Sequence, residues 1–150
     1  MRLLVQRVSW AEVRVADRLV GRIEKGLLVL VGFGTGDTPG LLPKAAHKLV
    51  NLRVFSDEEG RMNLSLREVG GGLLVVSQFT LYGELRKGFR PSFVGAAPPE
   101  QARSLYEAFL EELRRQGPDI PVETGEFGAK MAVSLCNDGP VTLWLEFEEV

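Results

Sequence analysis

Two short, strongly apolar runs constrain the fold of this 150-residue chain more than any other feature. The first spans Gly26–Phe33, and the second, Leu73–Phe79, begins Leu-Leu-Val-Val. Strand-length runs that are apolar at nearly every position are typical of strands covered on both faces. No apolar run reaches the ~18 residues that suggest a membrane-spanning helix. The sequence therefore predicts a β-sheet whose central strands lie inside a globular domain.

Alternating segments and two helical patterns complete the predicted set of elements. Apolar residues at helical spacing predict a helix that follows Pro39 and a longer helix that opens at Pro98 and stops at Gly117. The other predicted strands are 3–8, 11–15, 19–23, 52–55, 62–66 and 141–147. The chain is thus predicted to form one α+β domain over residues 1–150, rich in strands, with two main helices.

Charge and composition exclude several classes of function. The 18 lysines and arginines are balanced by 20 aspartates and glutamates, for a net charge of −2. A protein of that charge is not one held to long duplexes mainly by phosphate neutralisation, although a local basic patch could still hold one end of a folded RNA. The single cysteine, Cys136, allows no internal disulfide, and the N-terminal apolar stretch is too short for a signal peptide. We therefore expect a cytoplasmic protein.

The inventory of reactive side chains is small. A nucleophile activated by histidine would have to use His47, the one histidine, which falls inside the first predicted helix. A conventional hydrolase based on His47 or Cys136 stays open as an alternative, beside the simpler interpretation of His47 as a partly exposed helix residue. One histidine and one cysteine cannot form a zinc site without clustered carboxylates, so we expect no metal.

Two polar stretches interrupt the apolar pattern. Ser77–Leu81 ends a strand that is otherwise apolar, and buried polar groups need partners. Asn137–Thr142 contains Asp-Gly-Pro, a sequence typical of tight turns. From pattern alone, the first is either a hydrogen-bonded strand end or part of a site. The second is either a loop that leads into the last strand or part of the same site.

These two stretches resemble the SQFT and NxGPxT signatures of the D-aminoacyl-tRNA deacylase family. The similarity continues in Gly125–Met131, Val5–Val8 and Gly88–Phe93, in order and over essentially the whole chain. Two signatures at the family's separation are more specific than either alone. The resemblance implies a homodimer with active sites at the subunit interface and no cofactor. The expected architecture is two packed, mostly antiparallel β-sheets, barrel-like, with the two main helices on one face.

The resemblance also implies an activity. Members hydrolyse the ester that joins a D-amino acid, or glycine mischarged on tRNA(Ala), to the 3′-terminal adenosine of tRNA. In this sequence the Gly139-Pro140 bond would be cis and would reach into the partner subunit's pocket. There its carbonyls would exclude L-amino acids by steric clash. Glycine, which has no side chain, would not be excluded.

Roles for individual residues follow from the same resemblance. The catalytic group would comprise Ser77, Gln78, Phe79 and Thr80. Arg7 would not contact the substrate but would hold the Gly139-Pro140 loop in position. The substrate-binding residues would be Gly139, Pro140, Phe127, Met131, Asn137 and Ala102.

How water is activated is left open by the residues. Thr80 is the candidate hydroxyl nucleophile, but no base lies beside it in sequence, and an unactivated hydroxyl is a weak nucleophile. We favour hydrolysis assisted by the terminal ribose 2′-OH of the substrate, with the main-chain N–H groups of Phe79 and Thr80 stabilising the oxyanion.

The segment Gly83–Gly95 is predicted to be a basic loop. Arg86, Lys87 and Arg90 are the candidate tRNA phosphate contacts, and Lys44 and Lys48 are lesser candidates. The alternative for these cations is an ordinary solvated surface cluster. The alternative for the chain as a whole is a non-catalytic RNA-binding or oligomerisation module, which would hydrolyse no aminoacyl-tRNA.

Overall fold

The structure is a computed structural model that describes residues 1–149. They form eight strands and three α-helices. The strands are β1 (Arg2–Val15), β2 (Arg18–Ile23), β3 (Gly26–Gly32), β4 (Phe55–Ser56), β5 (Met62–Leu64), β6 (Gly72–Ser77), β7 (Val122–Thr124) and β8 (Ala132–Glu146). The helices are α1 (Leu42–Asn51), α2 (Leu66–Val69) and α3 (Pro99–Gln116), with 3₁₀ turns at Pro39–Leu41 and Phe79–Tyr82. No helix in this part of the chain has the length and apolarity needed to cross a membrane.

The long strand β1 organises a six-stranded sheet. Its first half pairs with β3 and its second half with β2, both antiparallel, while β8 pairs antiparallel along nearly its whole length. Parallel pairing adds β6 to β3 and β7 to β6. The far strands then approach each other, since a Cβ on Gly21 of β2 would lie 2.3 Å from the carbonyl oxygen of Thr124 in β7. The sheet is therefore nearly closed, like a barrel.

The core divides between the two faces of this sheet. On β3, Leu27, Val29 and Val31 are buried in the larger cluster, which also contains side chains of α1 and α3. Leu28 points to the other face, into a smaller cluster inside the barrel that also includes Leu74 of β6. Burial on both faces confirms the interpretation of the two apolar runs as central strands.

The two main helices cover the larger cluster. In α3 the buried residues Leu105, Phe109 and Leu113 recur every four positions, so one stripe of the helix faces the sheet. In α1 the buried residues Leu42, Ala46 and Leu49 follow one another at intervals of four and three positions, so they also share one face. The predicted α+β class, the strand-rich barrel-like sheet and the two main helices are confirmed.

Several details differ from the sequence prediction. The second sheet is only the β4–β5 pair, and the strands predicted at 3–8 and 11–15 are one continuous strand. The short helix α2 was not predicted, although Ser65 and Glu68 form the capping box that marks its start. Strand β7 has three residues, too few to produce a periodic pattern.

The two polar stretches also take a different form. The strand of the second apolar run ends at Ser77, and the chain continues as the 79–82 turn. Asn137–Thr142 does not precede the last strand but lies inside β8, because Gln6 pairs with Thr142 and Val8 with Asn137. The intervening residues 138–141 therefore bulge out of the ladder opposite Arg7.

Candidate active site

A cavity of about 500 Å³ opens between the ends of β3 and β6, the start of α3 and the segment 127–131. It brings together residues that are far apart in sequence. Six of the predicted site residues line it: Ser77, Gln78, Phe79, Ala102, Phe127 and Met131. The strand end Ser77–Leu81 and the segment Gly125–Met131 therefore contribute to one cavity.

The cavity is apolar and contains no titratable side chain. The other residues that line it are Val31, Gly32, Phe33, Val76, Ala97, Pro99, Gly128, Ala129 and Val133. The sequence analysis did not assign these to the site, because backbone close approach and helix starts give no chemical signal. Polar side chains enter the lining only through Ser77 and Gln78. The chain's own lining of this cavity therefore supplies no side-chain acid or base.

The 79–82 turn supplies main-chain donors at the edge of the cavity. The backbone N–H of Leu81 donates to the carbonyl of Gln78 at 3.3 Å. The preceding N–H groups, those of Phe79 and Thr80, donate to no backbone carbonyl within residues 1–149. Two adjacent N–H groups without an acceptor can stabilise a developing negative charge on oxygen.

Thr80 is not part of a nucleophile–base pair. Its hydroxyl oxygen accepts a hydrogen bond from the side-chain amide of Gln78. No hydrogen bond connects Thr80 to a histidine or a carboxylate anywhere in residues 1–149. An amide N–H cannot remove a proton from a hydroxyl, so Gln78 orients Thr80 without activating it.

Arg2 holds the 79–82 turn against the barrel. Its Nη1 donates to the carbonyl of Leu81 at 2.8 Å, and its guanidinium carbon lies 4.3 Å from the centre of the Tyr82 ring. Burial raises the pKa of the Tyr82 hydroxyl, which stays protonated at neutral pH. The sequence analysis missed this support because Arg2 is 79 positions away from Leu81.

The floor of the cavity is fixed by aromatic packing. The ring of Tyr106 lies 5.8 Å from that of Phe127, and its hydroxyl donates to the carbonyl of Val75 at 2.7 Å. Burial raises the pKa of Tyr106 to about 12, so the hydroxyl remains a donor. On the outer side, the guanidinium of Arg103 lies 4.8 Å from the Phe127 ring centre.

The bulge in β8 places Gly139 and Pro140 away from the cavity of their own chain. Both are exposed, their peptide bond is cis, and neither lines the cavity. Gly139 has φ = 131°, and a Cβ there would lie 2.8 Å from Val141 Cγ2. The side chain of Asn137 also lies outside the cavity. Its Oδ1 accepts from the N–H of Val141 at 3.1 Å, and its Nδ2 donates to Thr142 Oγ1 at 3.0 Å.

Arg7 anchors this bulge from β1. Its Nε donates to the carbonyl of Asp138 at 3.1 Å, and its Nη1 donates to the buried carbonyl of Val54 at 2.8 Å. Arg7 is buried although it is charged. Such burial is tolerated because the guanidinium is hydrogen-bonded and Asp138 supplies a carboxylate at 3.3 Å.

His47 and Cys136, on which a conventional hydrolase would depend, lie outside the cavity. His47 is exposed on α1, where its side chain contacts Asn51, and Cys136 is exposed on β8. Neither lines the cavity. Within residues 1–149 no group of three or more histidine, cysteine, aspartate or glutamate side chains could hold a metal ion.

The predicted basic loop is a short hairpin, closed by reciprocal backbone hydrogen bonds between Glu84 and Ser92. Arg86 pairs with Glu84 at 2.9 Å, which lowers the pKa of the Glu84 carboxyl to about 2. Lys87 and Arg90 are exposed and form no ion pair within 4.0 Å in residues 1–149. The lesser candidates on α1 are exposed as well. The loop's available positive charge is therefore that of Lys87 and Arg90.

Comparisons with known proteins find relatives that span essentially the whole chain. A protein of Desulfatibacillum aliphaticivorans named D-aminoacyl-tRNA deacylase is 59% identical over 146 residues, 97% of this chain and 99% of the relative. A Thermomicrobium roseum protein of the same name is 56% identical over 150 residues, 100% of this chain and 96% of the relative.

Solved structures share the fold. One named c-Myc DNA Unwinding Element Binding Protein superposes with a TM-score of 0.93 at 41% identity, over 99% of this chain and all of that one. A second, described as a probable eukaryotic D-amino acid tRNA deacylase, superposes with a TM-score of 0.80 at 22% identity, over 96% of this chain and 97% of that one. At 22% identity, the similarity to this second structure shows a shared fold only. The sequence profile of the family described as D-Tyr-tRNA(Tyr) deacylase matches residues 4–146, and the chain belongs to this family.

Proposed function

We propose that this protein hydrolyses the ester between a D-amino acid and the 3′-terminal adenosine of tRNA, releasing the free D-amino acid and the tRNA. The observation that carries the proposal is the cavity, in which Gln78 and Phe79 from one family signature meet Phe127 and Met131 from another block. Its volume of about 500 Å³ is in the range that holds small ligands or one end of a larger one. The relatives of more than half identity carry this activity in their names.

Hydrolysis in this site uses the substrate's own chemistry. The terminal ribose 2′-OH orients and activates a water molecule, whose oxygen attacks the ester carbonyl carbon. The bond from that carbon to the ribose oxygen then breaks, the ribose oxygen takes one proton of the water, the other proton passes to the solvent, and the amino acid leaves as a carboxylate. The absence of titratable groups from the cavity supports this route over a side-chain base.

The main-chain N–H groups of Phe79 and Thr80 stabilise the oxyanion of the tetrahedral intermediate. Donors of this kind are effective because they are already in place when the charge develops. Ser77 and Gln78 position the ester and the adenosine, Phe127 and Met131 hold the apolar parts of the substrate, and Ala102 limits the cavity on the α3 side.

Chirality is selected by exclusion. A site that holds the α-amino group and the ester leaves two directions for the substituents of the α-carbon, and one of them can be blocked. Sparing L-aminoacyl esters by about 10⁴-fold requires about 5.5 kcal/mol of differential transition-state energy. Attraction to one methylene supplies only about 1–3 kcal/mol, so a steric wall has to dominate. Glycine passes such a wall, and glycyl-tRNA, including that mischarged on tRNA(Ala), is hydrolysed.

The wall consists of the main-chain carbonyls of Gly139 and Pro140 from a second copy of the chain. Their exposure in the single chain, outside its own cavity, supports an intersubunit role. The hydrogen bonds from Arg7 and to Asn137 keep the bulge in one shape, as a wall requires. Strand β8 has one edge without a strand partner in the described chain, and such an edge favours pairing with another copy. The enzyme is therefore a homodimer, acting in the cytoplasm.

The alternative is a non-catalytic nucleic-acid-binding or oligomerisation module. One structural relative is named for binding to a DNA unwinding element, but the net charge of −2 gives this chain no general attraction to duplex DNA. A non-catalytic module would hydrolyse no charged tRNA.

A deacylation assay on matched D-tyrosyl-, L-tyrosyl- and glycyl-tRNA tests the proposal. We expect release of D-tyrosine and glycine and retention of the L-tyrosyl ester at an enzyme concentration that clears the D-ester within minutes. Rapid loss of the L-ester would overturn steric exclusion, and stability of all three esters would overturn the enzymatic proposal. Light scattering on the same preparation tests the dimer.

A further inference from the structure

Exposed apolar side chains are concentrated in the segment that continues from the cavity-lining residue Phe79. Of the eight large apolar side chains that are well exposed in residues 1–149, five lie between positions 79 and 94. They are Phe79, Leu85, Phe89, Phe93 and Val94. Phe89 is the extreme case, with a relative exposure of 105%. Single exposed apolar residues are ordinary, but a cluster next to a site marks a binding surface.

The geometry of the basic loop limits how far Phe89 can lie from the site. Its base is closed by the Glu84–Ser92 pair, and Gly88 adopts φ = 65° at the reversal. The next aromatic residue, Phe93, packs edge-on against Phe79 with ring centroids 5.1 Å apart, and Phe79 lines the cavity. Phe89 is four residues from Phe93, so their Cα atoms are separated by no more than about 14 Å.

Two exposed cations neighbour Phe89 in sequence. Lys87 lies two positions before it and Arg90 directly after it, and neither forms an ion pair within residues 1–149, whereas the charge of Arg86 is already neutralised by Glu84. An exposed aromatic ring between free cations is the arrangement by which proteins hold single-stranded nucleic acid: a base stacks on the ring and the cations hold the backbone. Since every base has a π-face, such a platform tolerates any sequence.

We propose that Phe89 is a stacking platform for one of the unpaired nucleotides that precede the terminal adenosine at the 3′ end of tRNA. This inference rests on the proposed function, in which the terminal adenosine occupies the cavity. The strand that leaves the cavity passes Phe79 and Phe93 and reaches the hairpin tip. Lys87 and Arg90 neutralise its phosphates there.

Two substrates separate this contact from the chemistry. D-Tyrosyl-tRNA carries the preceding nucleotides, whereas D-tyrosyl-adenosine has only the terminal nucleoside. We expect Phe89→Ala to raise KM for D-tyrosyl-tRNA about 5- to 100-fold and to leave kcat/KM for D-tyrosyl-adenosine within about twofold. Phe89→Trp keeps a π-face and should match the wild type, whereas Phe89→Leu should behave like Phe89→Ala. Met62→Ala, an exposed apolar change on the β5 hairpin, serves as the matched control.

A binding measurement makes the proposal independent of turnover. Fluorescence anisotropy of labelled cytidylyl-cytidylyl-adenosine should show tighter binding to the wild type than to Phe89→Ala. If the wild type hydrolyses neither ester, the proposed function fails, while this measurement still decides the role of Phe89.

Three results would overturn the platform. An equal loss on both esters would assign Phe89 to loop folding. Wild-type behaviour of Phe89→Leu would show that apolar contact, not stacking, is what matters. A weaker dimer in Phe89→Ala, measured by light scattering across a dilution series, would assign the exposed ring to a contact with the second copy.

Discussion

The Nε of Arg7 donates a hydrogen bond to the carbonyl oxygen of Asp138, the residue immediately before Gly139, at 3.1 Å. The same guanidinium reaches the carbonyl of Val54 at 2.8 Å. One buried side chain thus joins strand β1, the bulge of β8 and the segment before β4. In the proposed dimer this bulge excludes L-substrates from the partner's cavity. That exclusion depends on Arg7, because Arg7 holds the bulge in shape.

We expect Arg7→Ala to lower the free energy of unfolding by about 2–4 kcal/mol, because two carbonyls lose their donor. We also expect discrimination between D- and L-tyrosyl-tRNA to fall, since the bulge is no longer held. Urea unfolding and paired deacylation rates measure the two effects.

The control for Arg7 is Arg14→Ala, an exposed arginine on the same strand that pairs with Glu12. We expect Arg14→Ala to lower the free energy of unfolding by at most about 1 kcal/mol and to leave discrimination between D- and L-tyrosyl-tRNA unchanged. Unchanged discrimination in Arg7→Ala would show that the bulge keeps its shape without the arginine, or that it does not act as the wall.

Removing the Thr80 hydroxyl should have a small effect. If the substrate assists its own hydrolysis, Thr80→Ala lowers kcat by less than about tenfold, because only the contact with Gln78 is lost. A loss above about 10³-fold with intact fold and tRNA affinity would instead identify a hydroxyl nucleophile.

His47→Ala and Cys136→Ala should keep turnover within about threefold, since both residues are exposed outside the cavity.

Filling the cavity from α3 should block the reaction. Ala102 lines the cavity, so Ala102→Phe places a ring in the space the substrate needs, and we expect kcat/KM to fall by about 100-fold or more. Ser104→Phe adds the same ring to an exposed position on the same helix and should retain wild-type rates. Equal activity of the two variants would place the substrate elsewhere.

The salt dependence of tRNA binding should report the two free cations of the basic loop. Each phosphate contact on a single strand contributes a slope of about −0.7 to log K against log[salt]. Lys87→Ala and Arg90→Ala should each flatten the slope by about that amount. Arg86→Ala should flatten it less, because Glu84 already neutralises its charge. An unchanged slope in the Lys87→Ala/Arg90→Ala double variant would remove the loop from the tRNA contact.

Tyr106 should make the free energy of unfolding depend on pH in the alkaline range. Its pKa is about 12 in the folded protein because burial favours the neutral phenol, against about 10 in the unfolded chain. The folded pKa is the higher one, so the stabilisation is complete below about pH 10 and is lost as the pH rises through about 12.

Tyr106→Phe should lower the free energy of unfolding by about 1 kcal/mol at pH 8, through loss of the bond to Val75. Because the variant lacks the titrating phenol, its deficit in the free energy of unfolding relative to the wild type should shrink above about pH 10 and reverse in sign before about pH 12. Urea unfolding of both proteins over this range measures the difference, in which other titrating groups cancel. A constant difference would show that Tyr106 does not titrate with unfolding.

The elements that the sequence predicted correctly are those in which many neighbouring residues follow one hydrophobic pattern. The apolar run of β3 predicted a strand with both faces buried, and the spacing of Leu105, Phe109 and Leu113 predicted α3. Strand β7 left no such signal, because its three residues are held by pairing with β6 rather than by a pattern of their own. The bulge of β8 resembled a turn because Asp-Gly-Pro has turn chemistry wherever it occurs.

By itself, the sequence determined which residues resemble the family signatures, that two strands are central, and that any histidine or cysteine chemistry would have to use His47 or Cys136. Those conclusions follow from residue identity and local spacing. Only the tertiary structure decided that Gln78, Phe127 and Ala102 share one cavity and that Arg2 holds the 79–82 turn. It also showed that Gly139 lies outside its own chain's cavity. These relationships join positions far apart in the chain, and they exist only once the sheet curls and α3 packs against its face.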